Sequence, residues 1–360
     1  MTLDRAFIHI GFEKTGSTSL FNSLAASRAE LAAHGVLFTD IPEVHQTLPL
    51  AFGAVTEDRL ARLATAAGGD AMATAKAALA ALDDAVARFD GDTLVLSSQM
   101  FAGLPRDALA RMADHVGRLA RTVRIVAYVR HPVGVAVSLS QQLVKTGKFT
   151  RVEAERNPRI WPFAPRLSKH VAVFGRSGVL VRPFDPRALV DGKVQNDFLT
   201  LIGYPGPLAA VSNVDSNQSL SMPALVFKDL ANQAAGKARV PTFQSLFGVA
   251  GGRFALPAEA LADAARKGAA DVEYVASTFG LDLRPPSAEP RGEMASYFDD
   301  GVVAALERVC VEHPRREAVR NAIFAALSAI RAGAYDAPRR EDLEAGRRIA
   351  ARPRSSVTAG

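Results

Sequence analysis

Four short apolar runs constrain this chain more than any other feature: "AFIHIG" (6–11), "TLVLSS" (93–98), "RIVAYV" (124–129) and "GVLVRPF" (178–184). Each is nearly continuous in Val, Ile, Leu and their like, with little alternation of apolar and polar residues. Such strands need cover on both faces, the situation of a parallel sheet between layers of helices. Helical spacing occupies the intervals. Residues 17–33 follow the first run, 71–89 precede the second, and 106–120 separate the second from the third. Residues 133–146 follow the third, and 163–175 precede the fourth. The order β-α-β-α-β-α-β predicts right-handed crossovers and a three-layer, P-loop-like α/β sandwich with a parallel sheet flanked by helices.

Beyond residue 190 the signals are mostly helical, at 193–202, 221–235, 257–279, 301–312 and 315–332. Gly- and Pro-rich stretches at 203–207, 248–252 and 284–292 punctuate them. The expected division is an α/β core over 1–235 and a helical C-terminal extension over 236–360 packed on it, with a mobile tail from about residue 340. With 48% apolar residues in 360, a sizeable core can be buried. The single cysteine, Cys310, excludes an internal disulfide and fits a reducing compartment. The start "MTLDRAFIHIG" lacks a basic stretch followed by a long apolar run, and no run of about 18 apolar residues occurs. A cytoplasmic protein without signal peptide or transmembrane helix is expected. The net charge of +6 is modest, and much of it lies in the tail "PRREDLEAGRRIAARPR". No nucleic-acid motif or aromatic interleaving of basic residues accompanies it, so nucleic acid is not an expected partner. Nothing in the sequence bears on oligomeric state.

The first run opens into Gly11-Phe12-Glu13-Lys14-Thr15-Gly16-Ser17-Thr18-Ser19. Gly11 and Gly16 have the spacing of a triphosphate-binding loop, G-x-x-x-x-G-K-[ST], and Thr18 supplies its hydroxyl. The lysine position of that motif is Ser17. The loop's lysine is Lys14, inside the loop. Backbone amides and the following helix N-terminus can still cradle an anion. The positive charge, however, acts from the loop itself. A magnesium-dependent triphosphatase also needs an acid at a strand end. The second run ends in Ser97, Ser98 and Gln99 instead.

"HIGFEKTGSTSL" resembles the 5′-phosphosulfate loop of sulfotransferases that use 3′-phosphoadenosine 5′-phosphosulfate (PAPS), with a Lys-Thr-Gly-[Ser/Thr]-Thr core similar to those of bacterial and carbohydrate-modifying members. "RIVAYVRHPVGVAVSLSQQL" is similar to the same family's 3′-phosphate segment, with Arg130, Pro132 and Ser138 at the matching positions. An arginine at a strand's carboxyl end can grip phosphate bidentately. Pro132 can open a helix, and Ser138 lies about one and a half turns into it. "SNQSLSMPALVFKDLAN" echoes a late "N-x-S-L-S" segment, equally readable as a capped helix start at Ser219 or Ser221. The likeness spans about residues 6–235. It implies PAPS as donor, adenosine 3′,5′-bisphosphate as product, no metal, and a cofactor set of Lys14, Thr15, Gly16, Ser17, Thr18, Ser19, Arg130 and Ser138.

In that family a general base commonly follows the second strand, where this chain has Gln99, which cannot usefully accept a proton. Two other residues are candidates for that role. Glu13 adjoins Lys14 at the loop mouth, and His45 lies in the stretch after the first helix, with a near-neutral pKa. His9 reads as packed within the first strand, and His131 as ordering the turn or meeting phosphate. The expected activity is transfer of a sulfuryl group to a hydroxyl, or less favoured an amine, of a carbohydrate, lipid or small-molecule acceptor. Acceptor contacts are expected from 36–70, 145–165 and 236–256. Within "KTGKFTRVEAERNPRIWPF", Lys145, Lys148, Arg151, Arg156, Arg159 and Trp161 suit an anionic or sugar acceptor, or equally a solvated basic loop. The alternatives are a P-loop phosphotransferase and a non-catalytic nucleotide-binding or regulatory protein on the same fold.

Overall fold

The computed structural model describes residues 2–39, 48–53, 70–214, 219–236, 240–287, 291–312 and 317–336. The strands are β1 Leu3–Ile10, β2 Val36–Phe38, β3 Thr93–Ser98, β4 Ala120–Val129 and β5 Val179–Pro183. The helices run in chain order: α1 Ser17–Ala26, α2 Arg28–Ala33, α3 Leu48–Ala51, α4 Ala71–Arg88, α5 Arg106–Leu119, α6 Pro132–Lys145, α7 Arg151–Arg156, α8 Ala164–Phe174, α9 Val194–Leu201, α10 Met222–Ala235, α11 Ala258–Lys267, α12 Ala269–Phe279, α13 Asp300–Glu312 and α14 Glu317–Arg331.

The five strands form one parallel sheet in the order β2-β3-β1-β4-β5. Four of them are the four apolar runs. The fifth, β2, is an addition to the expected set. Successive residues of a strand point to opposite faces, and β1 shows it. Ala6, Ile8 and Ile10 pack with α4, α5, α8 and α12, whereas Phe7 packs with α1, α2 and α9. Both faces of the sheet are therefore covered, giving three layers. Ile8, Ile10, Leu94, Leu96 and Ile125 are almost wholly buried, each contributing about 1.5–3 kcal/mol relative to exposure.

Two compact units emerge. The first comprises Met1–His131, Trp161–Asn217 and Ala269–Arg284 and contains the whole sheet. The second comprises Pro132–Ile160, Gln218–Gly268 and Pro285–Gly360 and contains no strand among its described residues. The units interleave along the chain, and residue 235 falls inside one stretch of the second. In the second unit α10 packs along α14 and against α6. Its core joins Ala136, Leu225, Phe227, Leu306, Ile323 and Ile330. The expected tail from about 340 lies outside the described residues. Among the described residues no helix is long and apolar enough to cross a membrane.

Candidate anion-binding site

The loop leaves β1 at Gly11, whose amide donates to the Ser98 carbonyl at 3.2 Å and so ties the loop to the end of β3. A Cβ on Gly11 would stand 2.7 Å from Gln99 Cγ and 2.7 Å from Ser17 Oγ, so only glycine fits. Gly16 has φ of 74° and precedes α1 as its N-cap, a left-handed conformation that favours glycine. Lys14 has φ of 63°, rare for a residue with a side chain. The helical ladder of α1 starts with the Leu20 amide on the Gly16 carbonyl at 2.9 Å, so the amides of its first turn precede any intrahelical partner.

The hydroxyls of the loop divide. Thr15 is buried and donates to the Phe12 carbonyl at 2.8 Å, and Ser17, also buried, turns to the same carbonyl at 3.4 Å. Both shape the loop from within. Thr18 is exposed, and Lys14 and Ser19 are half-buried. Glu13 is held by Arg166 of α8. Nη1 donates to Oε1 at 2.8 Å and Nη2 to Oε2 at 2.7 Å, and the guanidinium lies over the Phe12 ring at 4.8 Å. Both carboxylate oxygens thus accept from one guanidinium, which suits Glu13 to fixing the loop.

β1 leads towards β2 at one edge of the sheet, and β4 leads towards β5 at the other. A parallel sheet opens its ligand crevice between strands whose connections diverge, outside their carboxyl ends. The Gly11–Gly16 loop and Arg130 lie there. Arg130 is partly withdrawn from solvent. Its guanidinium reaches the Lys14 carbonyl at 3.4 Å and lies 5.8 Å from the centre of the Phe184 ring. It has no carboxylate within ion-pair distance among the described residues. Burial pushes its pKa down, and the charge of Asp185 partly offsets this. Asp185 is itself engaged by Arg187 at 2.6 Å, which holds its carboxyl below the usual range. Phe184 also faces Gly16, where a Cβ would meet its ring at 2.6 Å. His131 is half-buried, and burial lowers its pKa, favouring the neutral imidazole.

The structure thus gathers Glu13, Lys14, Thr15, Gly16, Ser17, Thr18, Ser19 and Arg130 in one unit, with Gln99 beside Gly11. Ser138 is half-buried on α6, in the second unit. His45 lies outside the described residues. His9 is buried, with Nδ1 2.8 Å from Ser97 Oγ, as a packed strand residue would be. Ser221 caps α10, its hydroxyl accepting from the Ala224 amide at 3.4 Å. Arg151 is not part of a solvated basic loop. It is 1% exposed and enclosed by Glu155 and Asp336. Sequence reasoning did not find Arg166 or Phe184. Neither carries a motif, and both act through partners more than 150 residues away in the chain.

The fold and this site define an α/β protein with a glycine-bounded loop at the crevice of a parallel sheet. No protein-family model matches the chain, and no curated protein does. Among solved structures it is similar to a sulfotransferase domain from the curacin biosynthetic pathway. The identity is 15% and the TM-score 0.34, over 60% of this chain and 80% of that one.

Proposed function

We propose that the chain is a PAPS-dependent sulfotransferase acting on a hydroxyl of a carbohydrate, glycolipid or other small molecule. The observation that carries this reading is Arg130. A guanidinium partly withdrawn from water, with no carboxylate within ion-pair distance among the described residues and beside a glycine-bounded loop and the start of α1, suits an anion. In the proposal Arg130 and Ser138 take the 3′-phosphate, and the amides of residues 14–19 take the 5′-phosphosulfate. The acceptor oxygen forms a bond to sulfur as the bond from sulfur to the bridging oxygen breaks. The electron pair stays on adenosine 3′,5′-bisphosphate. Lys14 stabilises that growing charge from within the loop. Glu13 and His45 are the two groups proposed to take the acceptor's proton. A lost acidic limb in the rate–pH profile of Glu13→Gln assigns the base to Glu13, and a lost limb in His45→Ala assigns it to His45.

Against a phosphotransferase stand Ser17 in place of the motif's lysine and the absence of an acid among Ser97, Ser98 and Gln99 at the end of β3. Gln99 favours a second reading, a nucleotide-binding protein without turnover, since it lies beside Gly11 where a base would serve. The test is melting with adenosine 3′,5′-bisphosphate, followed by transfer of labelled sulfate from PAPS to a panel of glycans, lipids and phenols. At about 100 times Kd the ligand adds about 2.7 kcal/mol, without magnesium. An unmoved melting temperature, or one that moves only with magnesium, overturns the donor assignment. Binding without transfer selects the second reading.

A further inference from the structure

The chain has a single tryptophan, Trp161, and it is 48% exposed. Its carbonyl and the three residues that follow it are held by two side chains. Arg166 donates from Nη2 to the Trp161 carbonyl at 3.2 Å and from Nε to the Pro162 carbonyl at 3.0 Å. Asp271, buried on α12, accepts from the Phe163 amide at 3.1 Å and the Ala164 amide at 2.9 Å. The Phe163 side chain is buried against Phe12, ring centres 5.9 Å apart. Four successive residues are thus fixed through two carbonyls and two amides. Burial raises the pKa of Asp271, so it holds this segment at the cost of its own solvation. The same guanidinium grips Glu13, one residue before Lys14. The mount seats Phe163 in the core, and it also ties Trp161, whose side chain is left about half exposed, to the residue before Lys14.

We propose that Trp161 is the stacking platform for the acceptor and that the acceptor is a pyranose sugar. This rests on the sulfotransferase reading for the reaction, though not for the binding itself. An indole face offers a flat apolar surface to the C–H face of a sugar ring. The part-exposed Glu13–Arg166 pair, whose Arg166 holds the Trp161 carbonyl, offers an acceptor and a donor for ring hydroxyls. A planar phenol brings one hydroxyl to that pair, whereas a pyranose brings hydroxyls on adjacent ring carbons and can use both partners. Pre-ordering the platform removes part of the entropic cost of binding a weakly held ligand. Trp161 is then a specificity-determining residue, and Arg166 positions it.

As the chain's one tryptophan, Trp161 reports on its own occupancy. Emission of the intact protein is titrated with methyl pyranosides, a disaccharide series and 4-methylphenol, with no donor present. A saturable shift to shorter wavelength with a pyranoside is expected. Calorimetry should show Trp161→Ala weakening that sugar about three- to tenfold, with Trp161→Phe keeping most of the affinity. Both variants should bind adenosine 3′,5′-bisphosphate as the wild type does. No saturable change with any sugar, saturation by the phenol alone, or equal sugar affinity in Trp161→Ala overturns the proposal. If sugar binds through Trp161 and adenosine 3′,5′-bisphosphate does not bind at all, the donor assignment fails and the platform stands.

Discussion

Two arginines, one in each unit, are held differently. Arg151 in the helical unit is 1% exposed and surrounded by acceptors. Glu155 lies at 2.5 Å, Asp336 also pairs with it, and the Tyr335 carbonyl is at 3.4 Å. Arg291 joins the same Glu155 at 3.1 Å, and the backbone amide of Arg151 donates to Asp229 at 3.0 Å. Arg130 in the sheet unit has one long hydrogen bond to a carbonyl and an aromatic ring beneath it. Arg151 is held by carboxylates through Nη1 and Nη2, while its buried Nε makes no hydrogen bond, and such a charge-paired guanidinium holds structure. Arg130 has no carboxylate within ion-pair distance among the described residues, and in the proposed function it is the group that takes an anion. The contrast is between these two arginines and not between all charges of the units, since Arg182 of the sheet unit is itself paired with Asp197 at 2.5 Å.

The largest expected effect breaks the closed side. Arg151→Ala leaves Glu155 buried against Arg291 alone and should cost about 3–5 kcal/mol in denaturant unfolding. A loss under about 1 kcal/mol would mean that the cluster is solvated and the contrast with Arg130 empty.

Next comes Lys14→Ala on the open side. With the proposed role it should lower kcat for sulfate transfer about 10²–10³-fold while nucleotide affinity changes less. A normal kcat removes Lys14 from the chemistry.

A third effect sharpens the comparison through pH. Burial pushes the carboxyl of Asp229 up to about 6, with the Arg151 amide and Gln233 opposing. Between the unfolded value near 4 and this folded value, the native state holds a proton that the unfolded chain has released. Stability from this group is therefore present below about pH 4 and lost as pH rises towards 6, by at most about 3 kcal/mol. Asp229→Asn should flatten that part of the stability–pH curve, as followed by urea midpoints from pH 4 to 7. An unchanged slope would place the titration elsewhere.

The smallest effect concerns the ligand alone. Arg130→Ala should weaken adenosine 3′,5′-bisphosphate by about 1.5–3 kcal/mol and Ser138→Ala by about 0.5–1.5. Neither should much change binding of adenosine 5′-phosphate. Calorimetry that finds both nucleotides weakened equally by Arg130→Ala would move that residue to the 5′ end or to the fold.

Much of the fold was legible because continuous apolar runs need burial on both faces. Four runs became four strands, and most helices lie within a residue or two of their expected ends. β2 was missed because Val36, Leu37 and Phe38 are too few to show a pattern. The expected helix 17–33 breaks at Ser27, whose hydroxyl accepts from the Ser212 amide at 2.8 Å, a partner 185 residues away. The expected helix 257–279 breaks at Gly268. α7 was missed although its signature is written out. Thr150 and Glu153 form a capping box, amide to carboxylate at 2.7 Å and amide to hydroxyl at 3.2 Å. In the site, what was readable is placement, the loop between β1 and α1 and Arg130 just after β4, because both follow from where an apolar run ends. Arg166 was not, because its pairing with Glu13 exists only once α8 and the loop have met across 153 residues.

The interleaving of the two units has a consequence for how the chain is made. As synthesis proceeds, β1 to β4 emerge within the first 131 residues, but β5 waits for residue 179. Residues 132–160 come out with their apolar face bare, and α10 follows more than 60 residues later. Its long partner α14 follows only after residue 317. Neither unit can finish before the other has begun, and α14, the last helix among the described residues, completes the core of a unit that the middle of the chain started. Such order favours slow, late closure and exposes apolar helices in the meantime. A chain stopped at residue 235 would lack both the Asp271 clamp of the first unit and the α14 cover of the second, and it would be expected to aggregate rather than to fold as a smaller protein.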